Sequence, residues 1–209
     1  MRQLVYICCF CFFACQQTPK IQKQPSPQKE IQSKKEKFSF LDSLFTKNAT
    51  YKATGFDFPV GKPNAKNYYN AQSFTENNHL GDDWNGISGG NTDLGDPIFA
   101  IGNGYVQFAE DIGGGWGKVI RIIHQYKGNY YESLYAHCDT ISVKKGNFVS
   151  KGNQIGTIGN ANGMYYAHLH LEIRDQIFMD IGSGYSQSTN GYIDPTLFIK
   201  SNRNESWQK

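Results

Sequence analysis

Histidine and aspartate residues form three short groups whose composition suits a metal centre. The chain has five histidines, and four of them lie in the segments His79–Asp83, Tyr135–His137 and His168–His170. Neutral imidazole together with a carboxylate is a ligand set that suits zinc, and catalytic zinc typically has three protein ligands and one open position. A single histidine is more often structural, but the joint pattern favours one metal ion with additional bases beside it.

The third group lies in a segment with strict alternation of polar and apolar residues, Ala167–Arg174. Side chains of a β-strand point alternately to opposite faces, so His168, His170, Glu172 and Arg174 share one face and the intervening apolar residues face the core. Neighbours on one strand face are about 6.5 to 7 Å apart. One histidine could therefore bind the metal while the other reaches substrate or water.

The first group lies among asparagines and glycines, which indicates a strand end or a loop. Such a segment can direct His79 and Asp83, four positions apart, to one point. Asp82 is an equal rival for the carboxylate role, because spacing alone does not choose between the two aspartates.

The second group ends a further predicted strand, Tyr130–His137. Alternation places Tyr135 and His137 on one face of this strand and Cys138 on the other. His124 ends a neighbouring predicted strand without such a motif around it, so we expect a structural or exposed role for it.

The chain from about residue 53 onward has the pattern of an all-β domain. Apolar and aromatic runs alternate with glycine and asparagine turns, and long helical periodicity is absent. A content of 14% aromatic residues is enough for one compact domain with a sizeable core. The predicted strands are 97–109, 118–124, 130–137, 150–159 and 166–174.

The first residues predict export. The apolar run Leu4–Ala14 is shorter than the roughly 20 residues that a membrane-spanning helix needs, and we interpret residues 1–14 as a signal peptide. Phe12–Cys15 resembles the lipobox of bacterial lipoproteins, in which the cysteine is acylated. The resemblance implies a membrane anchor at Cys15. The alternative is an ordinary secretory signal that is cleaved near Ala14.

A polar linker is predicted over residues 15–47. Residues 16–47 hold seven lysines and three acidic residues, whereas residues 48–209 hold 13 basic and 15 acidic residues. Nucleic-acid binding is not expected, since no basic face is evident in the part predicted to fold. The aromatic segment Phe38–Phe45 could form a short docking helix. We expect a folded domain at residues 48–200, with its core at 75–199, and a C-terminal tail at 201–209.

The three groups, in this order, resemble the zinc metallopeptidases of the lysostaphin type, peptidase family M23 or the LytM domain. The motifs are His-x-x-x-Asp, Tyr-Ala-His and His-x-His. The flanking segments Gly95–Ala100, Gly115–Val119, Val149–Gly156 and Ile193–Pro195 resemble further stretches of the family. The resemblance covers residues 75–199.

This resemblance implies a ligand set, a fold and a reaction. It implies that His79, Asp83 and His170 bind Zn²⁺, and it favours Asp83 over Asp82. His137 and His168 would be catalytic and line the reaction centre, with their individual roles open. The implied fold is a compact antiparallel β-sandwich or open barrel of the LytM type, with long loops around a groove and a flexible N-terminal tether.

The expected function is hydrolysis of peptide bonds in peptidoglycan stem peptides or cross-links. The protein would be lipid-anchored and face the periplasm, at the outer membrane of a double-membraned bacterium. The segment Trp84–Leu94 is longer and richer in glycine than is usual in the family, and it could reshape the substrate groove.

Two alternatives to this function stay open. One is a non-catalytic wall-binding or amidase-activating module of the same fold. The other is a cysteine hydrolase that pairs Cys138 with a histidine.

Overall fold

The computed structural model describes residues 27–203. The chain divides into two units, Met1–Leu41 and Asp42–Lys209, and the β domain belongs to the second unit. The predicted signal peptide, Cys15 and most of the predicted C-terminal tail lie outside the described residues. Within residues 27–203, no helix is both long enough and apolar enough to cross a bilayer.

The second unit is mostly β, as the sequence predicts, and its strand pairs within residues 27–203 are all antiparallel. Short helical turns occur at Ala49–Tyr51, Gly61–Ala65 and Glu76–Asn78. The helices and strands are α1 Pro27–Lys47, β1 Tyr68–Gln72, β2 Asp82–Gly86, β3 Pro97–Phe99, β4 Gly104–Asp111, β5 Lys118–Tyr126, β6 Asn129–Cys138, β7 Thr140–Ile141, β8 Phe148–Val149, β9 Gln154–Thr157, β10 Leu169–Arg174, β11 Tyr192–Ile193 and α2 Pro195–Ser201.

Two sheets share one apolar core. The larger sheet has the order β1-β2-β10-β6-β5-β4-β8, with β11 paired to β10, and the smaller sheet has the order β3-β9-β7. Ile98 and Ile155 of the smaller sheet belong to the same buried cluster as Ile122, Tyr135 and Leu171 of the larger one. Because β10 lies between β2 and β6, the strands that carry the three motif groups are neighbours.

The predicted strand 97–109 is divided between the two sheets. Its first part is β3 and its second part is β4, and the chain changes sheet at residues 100–103. At this crossover the backbone N–H of Ile101 donates a hydrogen bond to the hydroxyl of Tyr135, at 3.0 Å. The apolar pattern is continuous across the crossover because both parts face the shared core, so periodicity alone did not separate them.

Helix α1 occupies part of the stretch that was predicted as a linker. Its many Lys, Glu and Gln residues have favourable helix propensity, which explains a helix without strong amphipathic patterning. Near its end, the Phe45 ring lies 6.0 Å from the rings of both Tyr130 and Phe148. Asp42 accepts a hydrogen bond of 2.7 Å from the Tyr130 hydroxyl. Asp42 and Phe45, both in the second unit, thus contact the β domain at Tyr130 and Phe148.

Candidate metal centre

Strand pairing brings the first and third motif groups together. Asp83 of β2 lies directly opposite His170 of β10. His79 follows the helical turn Glu76–Asn78 and forms an isolated β-bridge with Tyr185, which fixes the chain just before β2. Both histidines are buried. The three side chains therefore converge from a loop and two adjacent strands.

The three donor atoms lie within about 0.4 Å of the mutual distances expected around tetrahedral zinc. His79 Nε2 lies 3.0 Å from His170 Nδ1, and Asp83 Oδ1 lies 2.9 Å from His170 Nδ1 and 3.3 Å from His79 Nε2. Ligands at about 2.0 to 2.1 Å from a tetrahedral zinc ion are about 3.3 Å from one another. The residues present therefore fit a zinc ion with two imidazoles and one carboxylate.

Asp82, the other candidate carboxylate, points away from this cluster. Its side chain is buried and accepts hydrogen bonds from the Phe74 backbone N–H at 3.1 Å and from the Thr196 hydroxyl at 2.6 Å. This is the alternation expected in β2, where Trp84 joins the core. Asp82 has a structural role between β2 and helix α2.

The cluster is electrostatically suited to a cation. Burial alone would raise the pKa of Asp83, but hydrogen bonds from His170 and His79 hold it below its usual range. Burial alone would lower the pKa of His170, but the carboxylates of Asp83 and Glu172 raise it to about 9. A proton held among these atoms occupies the lone pairs that a metal needs, so metal binding is coupled to proton release.

The backbone of His137 departs from strand alternation. The prediction that His137 shares a face with Tyr135 is wrong, because Tyr135 points into the core whereas His137 faces the cluster. His137 has a φ of 61°, a left-handed conformation that is uncommon for a residue with a side chain. Its ring centre lies 4.6 Å from that of His168 and 5.7 Å from that of His170. Such strain often accompanies functional sites.

His168 has a defined orientation beside the cluster. Its Nδ1 lies 2.8 Å from the carbonyl oxygen of Tyr166, so this nitrogen must carry the proton of the neutral ring. The other nitrogen, Nε2, then has a free lone pair and lies 3.9 Å from Asp83 Oδ2. His168 thus presents a basic atom to the space next to the three converging side chains.

The cluster lies at the junction of two open cavities of about 660 and 440 Å³. Both are lined by Asp83, His168 and Tyr165. Asn85 and Asn91, from the long segment after Asp83, line the larger cavity. Trp116 lines the smaller one, with its ring centre 5.4 Å from that of His170. The long segment is therefore one wall of a groove that passes over the cluster.

Sequence reasoning did not anticipate the carboxylate beneath His170. Glu172 and Arg174 are fully buried, although alternation places them on the same face as the histidines. Glu172 Oε1 lies 3.2 Å from His170 Nε2. Tyr185, whose ring centre is 5.1 Å from that of His79, was also missed, because the segment around it has no periodic pattern.

The two remaining candidates, His124 and Cys138, lie outside the cluster. His124 is buried and contacts the carbonyl of Asn103 and the hydroxyl of Ser133, each at 2.8 Å, which is a structural role. The Cys138 thiol is buried, and burial raises its pKa to about 12. A thiol in this environment is not a nucleophile.

Comparisons with known proteins identify a family and several relatives. Residues 82–191 match the family described as Peptidase family M23, which is more than half of the chain. Lipoprotein NlpD of Yersinia enterocolitica is 41% identical over 80 residues, which are 38% of this chain and 78% of that protein.

Two further relatives carry functional names. Peptidoglycan DD-endopeptidase ShyA of Vibrio cholerae is 33% identical over 88 residues, or 38% of this chain and 18% of ShyA. Murein hydrolase activator NlpD of Escherichia coli is 38% identical over 80 residues, or 38% of this chain and 20% of the activator. The chain therefore spans a fifth or less of these two relatives. The extent of the family match nevertheless shows that the chain belongs to peptidase family M23.

Proposed function

We propose that this protein is a zinc-dependent endopeptidase that hydrolyses peptide bonds in the stem peptides or cross-links of peptidoglycan. The observation that carries the proposal is the convergence of three donor atoms at 2.9 to 3.3 Å, with two further histidines beside them. Membership of a peptidase family supports the same reaction class.

His79, Asp83 and His170 would hold the zinc ion. When bound, zinc supplies Lewis acidity, which polarises a peptide carbonyl and lowers the pKa of water towards ~7. The protein residues contribute the shape of the site and the proton transfers. Glu172, which contacts Nε2 of His170, leaves Nδ1 free for the metal.

His168 has the geometry of the general base. The Tyr166 carbonyl fixes the proton on Nδ1, and the lone pair of Nε2 faces the groove next to Asp83. In this role Nε2 takes a proton from the attacking water and later returns it to the leaving amine. The backbone contact keeps the ring in place through both transfers.

His137 has the properties of a neutral hydrogen-bond donor. Its pKa is lowered to about 3, mainly by burial and to a smaller extent by the neighbouring His168 and His170. The ring is therefore neutral at physiological pH, and we assign it to the oxyanion that develops on the substrate carbonyl. A preorganised donor of this kind typically contributes about 10²- to 10³-fold to the rate.

Peptidoglycan is proposed as the substrate because of the relatives and the predicted N-terminus. ShyA is named as a peptidoglycan DD-endopeptidase, and the Yersinia NlpD is named as a lipoprotein. Together with the lipobox-like Phe12–Cys15, these names support an envelope lipoprotein. An anchor at Cys15 would hold the domain at a membrane surface facing the periplasm.

The similarity to the murein hydrolase activator favours one alternative, a module that stimulates an amidase without cleaving a bond itself. Incubation of purified sacculi with the full chain separates the two functions. An endopeptidase releases muropeptides with a newly cleaved peptide bond, identified by mass spectrometry, and the His168→Ala variant does not. An activator releases nothing alone, and both the wild type and His168→Ala stimulate an added amidase.

A further inference from the structure

A buried carboxylate supports one candidate metal ligand from below. Glu172 is fully buried, and its Oε1 lies 3.2 Å from Nε2 of His170. Its other oxygen, Oε2, accepts hydrogen bonds from Nε and Nη2 of Arg174 at 2.8 and 2.6 Å. Both oxygens of Glu172 are therefore committed, one to His170 and one to Arg174.

The same arginine, with a second one, holds the loop that follows β10. Arg174 donates hydrogen bonds to the carbonyls of Asp180 at 3.1 Å and Ile181 at 2.8 Å. Arg121 donates to Glu132 Oε1 at 3.0 and 2.7 Å and to the Met179 carbonyl at 2.7 Å. Three successive carbonyls, at residues 179–181, thus depend on two largely buried guanidinium groups.

This loop then continues along the groove and reaches a second candidate ligand. The Gly182 carbonyl accepts a hydrogen bond from Trp116 Nε1 at 3.1 Å, and the Gly184 carbonyl accepts one from the Leu80 backbone N–H at 2.9 Å. Tyr185 pairs with His79 through a β-bridge. Residues 179–185, here named the wall loop, therefore connect the buried arginines to the groove and to His79.

We infer that Glu172, Arg174 and Arg121 are positioning residues of one network, which couples zinc binding at the three ligands to the order of the wall loop. The inference rests on the proposed metal centre and goes beyond it, because it assigns a role to residues that touch neither metal nor substrate. The network orients His170 at one end and supports His79 at the other.

The tautomer of His170 is the first consequence of this network. Because Arg174 needs an acceptor, a glutamine at position 172 must turn its oxygen towards the arginine and its NH₂ group towards His170 Nε2. That nitrogen must then accept a hydrogen bond, and the proton of the neutral ring moves to Nδ1. Nδ1 is the atom that faces His79 and Asp83, and it is the proposed metal ligand. Glu172→Gln therefore places a proton on this ligand atom and opposes metal binding, with little change in side-chain volume.

The coupling must also act in the opposite direction. If an ordered wall loop favours zinc binding, zinc binding must favour an ordered wall loop by the same factor. Arg121 tests this reciprocity, because it contacts Glu132 and the wall loop but none of the three ligands. A lysine at this position keeps the positive charge beside Glu132 but not the forked donors that reach two acceptors at once.

The test measures the affinity of the full chain for Zn²⁺ by competition with a chromophoric chelator. We expect Glu172→Gln to weaken zinc binding about 10- to 100-fold and Arg121→Lys to weaken it several-fold. The matched control is Arg203→Lys, which alters an arginine–carboxylate pair with Asp57 elsewhere, and its affinity should equal that of the wild type. Hydrogen exchange of the wild type should show slower exchange in the wall loop when zinc is bound.

Two results would count against the inference. Unchanged zinc affinity in both Glu172→Gln and Arg121→Lys, with exchange of the wall loop insensitive to zinc, would overturn the network and leave the metal centre intact. A wild-type chain without zinc affinity would refute the metal centre itself, and the network with it. Hydrogen exchange of the wall loop is measured on the wild-type chain. The inference can therefore be tested even if a variant does not fold.

Discussion

The Nδ1 atom of His168 lies 2.8 Å from the carbonyl oxygen of Tyr166. A carbonyl oxygen only accepts hydrogen bonds, so the neutral ring must be protonated at Nδ1 and basic at Nε2. A short backbone contact within one loop thus determines which nitrogen faces the groove. It also separates the role of His168 from that of His170, whose Nδ1 faces the other two candidate ligands.

Replacement of His168 by alanine is expected to remove activity but not the metal. Loss of a general base typically lowers the rate about 10²- to 10⁴-fold, and the three proposed ligands stay in place. Muropeptide release and zinc content should be measured on the same preparation. If His168→Ala lost zinc as completely as His170→Ala, the division of roles on this segment would be wrong.

The long segment after Asp83 is expected to act on catalysis through one side chain. Asn91 Oδ1 accepts a hydrogen bond of 2.8 Å from the backbone N–H of Ala167, the residue before His168. Asn91→Ala removes this acceptor, with a cost of about 1 kcal/mol, and should lower activity about fivefold with zinc affinity unchanged. Asn91→Asp retains an acceptor and is the matched control. Equal loss in both variants would show that the hydrogen bond is not the cause.

Replacement of Cys138 by alanine is expected to leave muropeptide release unchanged. The thiol is buried, and burial raises its pKa to about 12, so it is protonated at neutral pH. Chelation of divalent metal should abolish activity in both the wild type and Cys138→Ala. Activity that survived the chelator and disappeared with the thiol would favour a cysteine hydrolase.

His124 is expected to make folding stability dependent on pH. Burial lowers its pKa to about 4, below the 6.5 of an exposed histidine. Between these values the unfolded chain binds a proton that the folded chain does not, so the free energy of unfolding decreases as pH falls. The free energy of unfolding of the wild type, relative to that of His124→Gln, should fall by up to about 1.4 kcal/mol per pH unit between about pH 6.5 and pH 4. Urea unfolding at several pH values measures this, and a constant difference would contradict the assignment.

The sequence predicts the part of the site that depends on strand geometry. Alternation in Ala167–Arg174 places His170 and Glu172 on one face, and the structure has the apolar residues between them in the core. The register that sets Asp83 opposite His170 is a tertiary property. Before the structure, only the resemblance of the motifs to a known family favoured Asp83 over Asp82 as the partner of His170.

The remaining features depend on contacts that no local pattern encodes. The left-handed backbone of His137 reverses the face that alternation predicts. Histidine adopts this conformation more often than most residues with a side chain, but residue type alone does not say at which position it will do so. The burial of Arg174, and of Glu172 beside it, depends on carbonyls of the wall loop, which follows β10 but has no periodic pattern of its own. Helix α1 forms where composition suggested a linker. Its Lys, Glu and Gln residues are common both in flexible linkers and in exposed helices, so composition alone did not distinguish the two.

Metal analysis of the purified full chain tests the central claim most directly. Our account predicts one Zn²⁺ per chain, and loss of that ion in each of the variants His79→Ala, Asp83→Ala and His170→Ala, with retention in His168→Ala. Competition with a chelator gives the affinities, and circular dichroism checks that each variant is folded. A folded wild-type chain without zinc, or folded ligand variants that keep it, would contradict the account.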